Sequence, residues 1–87
     1  MTKKELSAYA GKRFYNLSQR AGGVFDYCLT VYEITPRGTC KYINKELGRV
    51  VNDRHWNKLE EITGGKYHYG RPSAAVLTVR ELEKICF

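Results

Sequence analysis

The sequence lacks the long apolar run that a membrane-spanning helix requires. No stretch of about eighteen consecutive apolar residues occurs among its 87 residues. Residues 1–5, which read MTKKE, lead into an amphipathic stretch instead of the apolar core of a signal peptide. We therefore expect a cytoplasmic protein that does not use a membrane as a partner.

Cysteine is scarce, and its spacing excludes two common small-protein architectures. Cys28, Cys40 and Cys86 are an odd number of thiols at wide intervals, with no CxxC motif and no neighbouring histidine pair. This pattern predicts neither a disulfide framework nor a zinc site, and buried free thiols are its simplest interpretation. Because no catalytic motif is present either, the sequence predicts a binding protein without metal, cofactor or enzymatic activity.

Acidic residues are outnumbered, with nine Asp and Glu against fifteen Lys and Arg, which leaves a net charge of +6. The composition is 43% apolar and 13% aromatic, enough for the one modest core of a single domain over residues 1–87. The first 22 residues are the most basic, and Lys12 and Arg13 among them are expected to contact phosphates without reading sequence. An excess of cations that only maintains solubility is the alternative.

Apolar spacing in the first half favours a helix over residues 5–19, ended by the glycines at 22 and 23. Its apolar stripe comprises Leu6, Tyr9, Ala10, Phe14 and Leu17. Residues 24–34 are rich in β-branched and aromatic side chains, which favours a strand, although a helical face also fits them.

The second half reads as a turn, two helices, a hairpin and a last short helix. A turn at residues 35–38 precedes a helix with Thr39 as its N-cap, and a second helix spans 54–63. We expect Ile43 and Leu47 of the first helix to be buried with Trp56 and Leu59 of the second. Residues 66–69 and 74–79 are predicted to form the hairpin, and Thr78 with Glu81 would cap the final helix. The predicted class is therefore α+β.

The order turn, helix, helix, hairpin over residues 34–80 resembles a winged helix-turn-helix DNA-binding domain. The segments that carry the resemblance are ITPRG at 34–38, KELG at 45–48 and NKLEE at 57–61. The resemblance implies a small regulator of prophage or plasmid type that binds duplex DNA, with its second helix in the major groove and the hairpin as the wing. The side chains that it assigns to DNA are Arg54 and Asn57 for base reading, His55 and Lys58 for phosphates, and Lys66, His68 and Arg71 in the wing.

Three other functions stay open at this point. Many tyrosines and arginines are typical of protein interfaces, so a small phage-type inhibitor or adaptor that binds an acidic surface of a host enzyme or nucleoprotein complex also fits. RNA binding is a further alternative. The run YHYGR at 67–71 collects groups that a small ribonuclease needs, although neighbours on a strand point to opposite faces.

Overall fold

Four strands and three helices are present in the computed structural model, which describes residues 2–19, 27–49, 53–70 and 72–87, with only the backbone at 19 and 53–55. The elements in chain order are α1 (Lys3–Ser7), β1 (Arg13–Gln19), β2 (Tyr27–Ile34), β3 (Cys40–Gly48), α2 (Asp53–Thr63), β4 (Tyr67–Tyr69) and α3 (Val79–Ile85). The α+β class is thereby confirmed.

The strands form one mixed sheet in the order β3-β2-β1-β4. β1, β2 and β3 are a continuous antiparallel meander, in which Leu17 lies opposite Leu29. β4 lies parallel to β1, with His68 beside Asn16. A parallel neighbour requires a crossover connection, and α2 provides it by carrying the chain from one edge of the sheet to the other.

Each face of the sheet carries its own apolar cluster. On the face that we call the α2 face, Leu59 of α2 packs with Leu17, Tyr27 and Leu29. On the opposite face, called the α3 face, the cluster contains residues of α1, β1, β2, α3 and the segment before α3. Its buried members are Leu6, Phe14, Ile34, Leu77, Leu82 and Ile85. β1 is therefore a central strand with both of its faces buried.

The helix predicted over residues 5–19 is wrong beyond its first turns. Thr2 and Glu5 form a capping box that begins α1, and α1 ends at Ser7. The chain then turns through Gly11, whose φ is +89°. In β1, Phe14 packs in the cluster on the α3 face and Leu17 in the cluster on the α2 face. Because both faces of this strand are buried, its apolar residues can be three apart, which is also the spacing of one face of a helix.

The helix predicted to follow Thr39 is also wrong, because residues 40–48 form strand β3. Ile43 and Leu47 are 36% and 37% exposed, so they do not join Leu59 in the core. β3 is an edge strand, and a register shift opposite Val31 and Tyr32 breaks its two-residue alternation. Positions 43 and 47 are four residues apart, an interval that is common to one face of a helix and one face of a strand, so the apolar spacing did not distinguish the two.

Elements with strong local signals are confirmed. Gly38 donates its backbone N–H to the carbonyl of Thr35 at 3.0 Å, which closes the predicted turn. The strand predicted over residues 24–34 is confirmed for Tyr27–Ile34, whereas residues 24–26 lie outside the described residues. The helix predicted over 54–63 is α2. At the start of α3 the Thr78 hydroxyl accepts from the N–H of Glu81 at 3.2 Å.

The predicted hairpin wing does not form in the described residues. β4 pairs in parallel with β1, while residues 74–76 make a turn and Leu77 enters the core. The described part of the chain thus contains neither the first helix of the predicted tandem pair nor the second strand of the wing.

Candidate nucleic-acid interface

Basic side chains from separate segments meet at the end of the sheet where β1 begins. Ile34 donates its N–H to the carbonyl of Lys12, and Gly11 donates to the carbonyl of Ile34, both at 2.9 Å. These two bonds hold the end of β2 against the start of β1. The turn at 35–39, which carries Arg37, consequently begins beside Lys12.

α1 docks directly on that turn. A Cβ atom built on Gly38 would lie 1.9 Å from the carbonyl oxygen of Lys3, so the two backbones are in contact. Lys3 and Lys4 of α1 are therefore close neighbours of Arg37. We call this end of the sheet the basic end, and its exposed cationic members are Lys3, Lys4, Lys12, Arg13, Arg37 and Lys41.

Few acidic groups neutralise the basic end. Arg13 Nε lies 3.3 Å from Glu33 Oε1, and Lys41 lies opposite the same Glu33 in the β2–β3 register. Glu5 accepts from the backbone and hydroxyl of Thr2 in the capping box. Among the residues that the structure describes, the other five cations of the basic end form no ion pair. A polyanion can therefore approach this surface without first displacing internal partners.

A polar cavity of about 420 Å³ opens on the α3 face, beside the apolar cluster. Asn16 and Thr30 form part of its wall, although they are only 4% and 6% exposed. The Asn16 amide donates to the carbonyls of His68 and Gly70, which ties β1 to β4. The remaining lining residues are Ser18, Cys28, Tyr32, Gly70 and Pro72. We call this space the polar cavity.

Side chains of β3 extend the rim of the polar cavity. In the β2–β3 register, Tyr42 lies opposite Tyr32 and Lys45 lies opposite Thr30. The Tyr32 and Tyr42 rings are 6.4 Å apart in an edge-on arrangement, and Tyr42 is 52% exposed. Burial is the first cause of a raised pKa for the Tyr32 phenol, so at neutral pH this group keeps its proton and can donate it in a hydrogen bond.

A second cavity connects the polar cavity with the basic end. It measures about 200 Å³, and Lys3, Gly38 and Cys40 are among its lining residues. Pro72 lines both cavities. The two cavities therefore adjoin at Pro72, and Lys3 of the basic end lines the second one.

The structure brings only some of the predicted site residues to this surface. Lys12 and Arg13 belong to the basic end. Asn57 and Lys58 are exposed on α2, and Lys66 is exposed directly before β4, whose first residue pairs with Tyr15 near the start of β1. The side chains of Arg54 and His55, and the whole of Arg71, lie outside the described residues.

His68 is not the exposed phosphate donor that the sequence predicted. It is 4% exposed, and its Nδ1 lies 2.5 Å from Glu81 Oε1. Its pairing beside Asn16 turns it toward α3, so the His68–Glu81 contact fastens α3 to β4. Its Nε2 is buried without a hydrogen-bond partner in the described part of the chain. These contacts assign His68 a structural role.

Sequence reasoning missed Asn16, Thr30 and Tyr32. Their signal was present as polar residues at two-residue intervals, Asn16 with Ser18 and Cys28 with Thr30, which is the period of one strand face. The assignment of residues 5–19 to a helix concealed it. Strand pairing then places these four polar side chains opposite one another, Asn16 with Thr30 and Ser18 with Cys28.

Within the described ranges, no group of three or more His, Cys, Asp or Glu side chains is placed to hold a metal ion, and no helix is both long and apolar enough to cross a bilayer. The chain was compared with known protein families, curated proteins and solved structures, and none of them matches it.

Proposed function

We propose that this protein binds nucleic acid and that the basic end holds the phosphates. The observation that carries the proposal is that six exposed cations belong to α1, the start of β1, the β2–β3 turn and the start of β3, which meet at one end of the sheet. Cations that neutralise phosphates release condensed counterions, and this release drives binding to DNA or RNA. Such contacts position a nucleic acid without reading its sequence.

The charge of α2 argues against major-groove reading by this helix. Asp53–Thr63 contains two basic and three acidic residues, so the helix is slightly negative. A recognition helix enters a groove flanked by phosphates, where negative side chains are repelled. The nucleic-acid proposal therefore relies on the basic end, and Asn57 and Lys58 are not needed for it.

A double substitution at the basic end tests the proposal. Lys12→Gln combined with Arg37→Gln should weaken binding to a fluorescein-labelled oligonucleotide in a polarisation titration. The slope of log Kd against log salt should fall by about one unit for each lost phosphate contact, hence by about two. Lys58→Gln combined with Arg49→Gln removes the same charge elsewhere and serves as the matched control, because Lys58 lies on α2 and Arg49 follows β3 at the opposite end of the sheet, where Gly48 pairs with Tyr27. If both double variants change the slope equally, the binding is diffuse and the basic end is not the site.

The outer edge of β3 favours a second candidate function, which is binding to a protein. Tyr42, Ile43 and Leu47 are exposed there, and no described strand pairs with this edge. An exposed edge strand can accept a strand of another protein. An inhibitor or adaptor that covers an acidic partner would use this edge. If the protein fails to bind oligonucleotides at low salt, the nucleic-acid proposal is overturned and this alternative takes its place.

A further inference from the structure

The polar cavity lies on the α3 face of the two central strands, where a sheet usually carries apolar side chains. β1 and β2 are the central strands, yet on the α3 face they present Asn16, Ser18, Cys28 and Thr30 next to the apolar cluster. Polar groups are costly to bury unless they are hydrogen-bonded. A polar wall around an open cavity of about 420 Å³ therefore suits a ligand that brings its own donors and acceptors.

The rim adds a flat aromatic face. Tyr42 is 52% exposed and lies opposite Tyr32, which lines the cavity. A half-exposed tyrosine presents a ring on which a planar ligand can stack. The exposed Lys45 lies opposite Thr30 in the β2–β3 register. Hydrogen-bonding groups and a stacking face together match the chemistry of a nucleobase.

We infer that the polar cavity receives one unpaired base of a single-stranded nucleic acid whose phosphates continue over Pro72 to the basic end. This inference rests on the proposed function and adds the class of nucleic acid. In a duplex the base edges are paired and the faces are stacked, so a cavity of this kind accepts a base only from a single strand or an extruded position. Asn16 Oδ1, whose amide nitrogen already donates to two carbonyls, and the Thr30 hydroxyl would meet the edge of the base, and Tyr42 would stack on it.

Tyr42 is the residue at which the inference is tested first. Tyr42→Ala should weaken binding to a labelled single-stranded oligonucleotide between about 5-fold and 150-fold, which is the range found for loss of one base–aromatic stack. Tyr42→Phe keeps the ring and should bind as the wild type does. Tyr69→Ala is the matched control, because Tyr69 is 50% exposed but belongs to a strand edge outside the cavity.

Thr30→Val is a second variant, which removes a hydrogen-bonding group for the edge of the base and leaves the stacking ring of Tyr42 in place. Valine has nearly the same shape as threonine but lacks the hydroxyl group, which in this structure lies 3.6 Å from Cys28 Sγ. The variant should change the ranking of homopolymeric oligonucleotides of the four bases while the salt dependence stays the same. Measuring each oligonucleotide as DNA and as RNA distinguishes the two sources of an unpaired base, because RNA alone offers a 2′-hydroxyl.

The outcomes separate this inference from the proposed function. A selective loss of single-strand binding in Tyr42→Ala, with duplex binding unchanged, supports the base site. Salt-dependent binding that is equal for single strands and duplexes and is unaltered by Tyr42→Ala and Thr30→Val overturns the base site and leaves the basic end in place. A wild-type protein that binds no oligonucleotide at low salt overturns both. Circular dichroism of each variant establishes that it is folded before binding is measured.

Discussion

Leu59 and Leu47 are chemically identical side chains in very different surroundings. Leu59 is 1% exposed and packs with Leu17 and Leu29, whereas Leu47 is 37% exposed on the edge strand. Leu59→Ala removes buried atoms and leaves a cavity, so it should lower the free energy of unfolding by about 2–5 kcal/mol. Leu47→Ala should cost on the order of 1 kcal/mol, since part of its surface is already in water.

Urea unfolding followed by circular dichroism measures both leucine variants on the same scale. The two substitutions serve as each other's controls, because the chemical change is the same in each. A Leu47→Ala variant that loses as much stability as Leu59→Ala would show that Leu47 is a core residue, as the predicted helix after Thr39 required. Equal and small effects would contradict the packing of α2 on the sheet.

The docking of α1 on the β2–β3 turn depends on Gly38. This residue has a φ of +77°, and a side chain there would meet the Lys3 backbone. Gly11 has a similar φ of +89° with no atom within 4 Å of a built Cβ, so Gly11→Ala isolates the cost of the backbone conformation. That cost is about 1–2 kcal/mol. Gly38→Ala should add a steric cost of about 1–3 kcal/mol.

Thermal unfolding of the two glycine variants distinguishes strain from contact. If Gly38→Ala is destabilised no more than Gly11→Ala, α1 does not pack on the turn in solution. Because Lys3 and Lys4 reach the basic end through this contact, Gly38→Ala should also weaken oligonucleotide binding. Gly11→Ala keeps the contact between Lys3 and Gly38, so it should weaken binding less, provided that both proteins are compared below their unfolding temperatures.

The stability of the whole molecule should fall at alkaline pH. Burial raises the pKa of Tyr27 and Tyr32 above the ordinary value of 10.0 and that of Cys40 above 9.0. Above these ordinary values the unfolded chain has released protons that the folded chain still holds. The stabilisation is therefore complete below about pH 9 and is lost as pH rises through the raised values of the folded state.

Urea unfolding in reducing buffer at pH 8 and at successively higher pH measures this loss. Tyr27→Phe removes one of the titrating phenols while it keeps the ring in the α2-face cluster, so its stability should fall less steeply with pH than that of the wild type. Parallel curves for the two proteins would show that Tyr27 ionises as readily in the folded state as in the unfolded one. Because the two proteins are compared at the same pH, the titration of the lysines affects the stability of both equally.

The parts of the fold that could be predicted are those encoded by neighbouring residues. A turn needs Pro36 and Gly38, α2 ends before two glycines, and α3 begins at the hydroxyl of Thr78. Each of these signals acts over three or four residues. Part of the candidate site was also predictable, because the excess of cations in the first segment of the chain, which includes Lys12 and Arg13, can be counted directly in the sequence.

The remaining elements could not be read locally because their stability comes from distant partners. β1 is a strand because β2 and β4 pair with both of its edges, and apolar clusters cover both of its faces, so Phe14 and Leu17 gave a helical interval on a strand. β4 pairs with β1, some fifty residues earlier, and not with the residues that follow it. Asn16 and Thr30 become neighbours only through strand register.

By itself the sequence determined the size of the core, the positive charge, the α+β class and the elements with local caps and turns. The tertiary structure decided which cations meet at one end of the sheet, which polar side chains line a cavity, and that His68 is enclosed with Glu81. The physical reason is that strand pairing and the α2 crossover act between residues far apart in the chain. Local propensity carries no information about such partners.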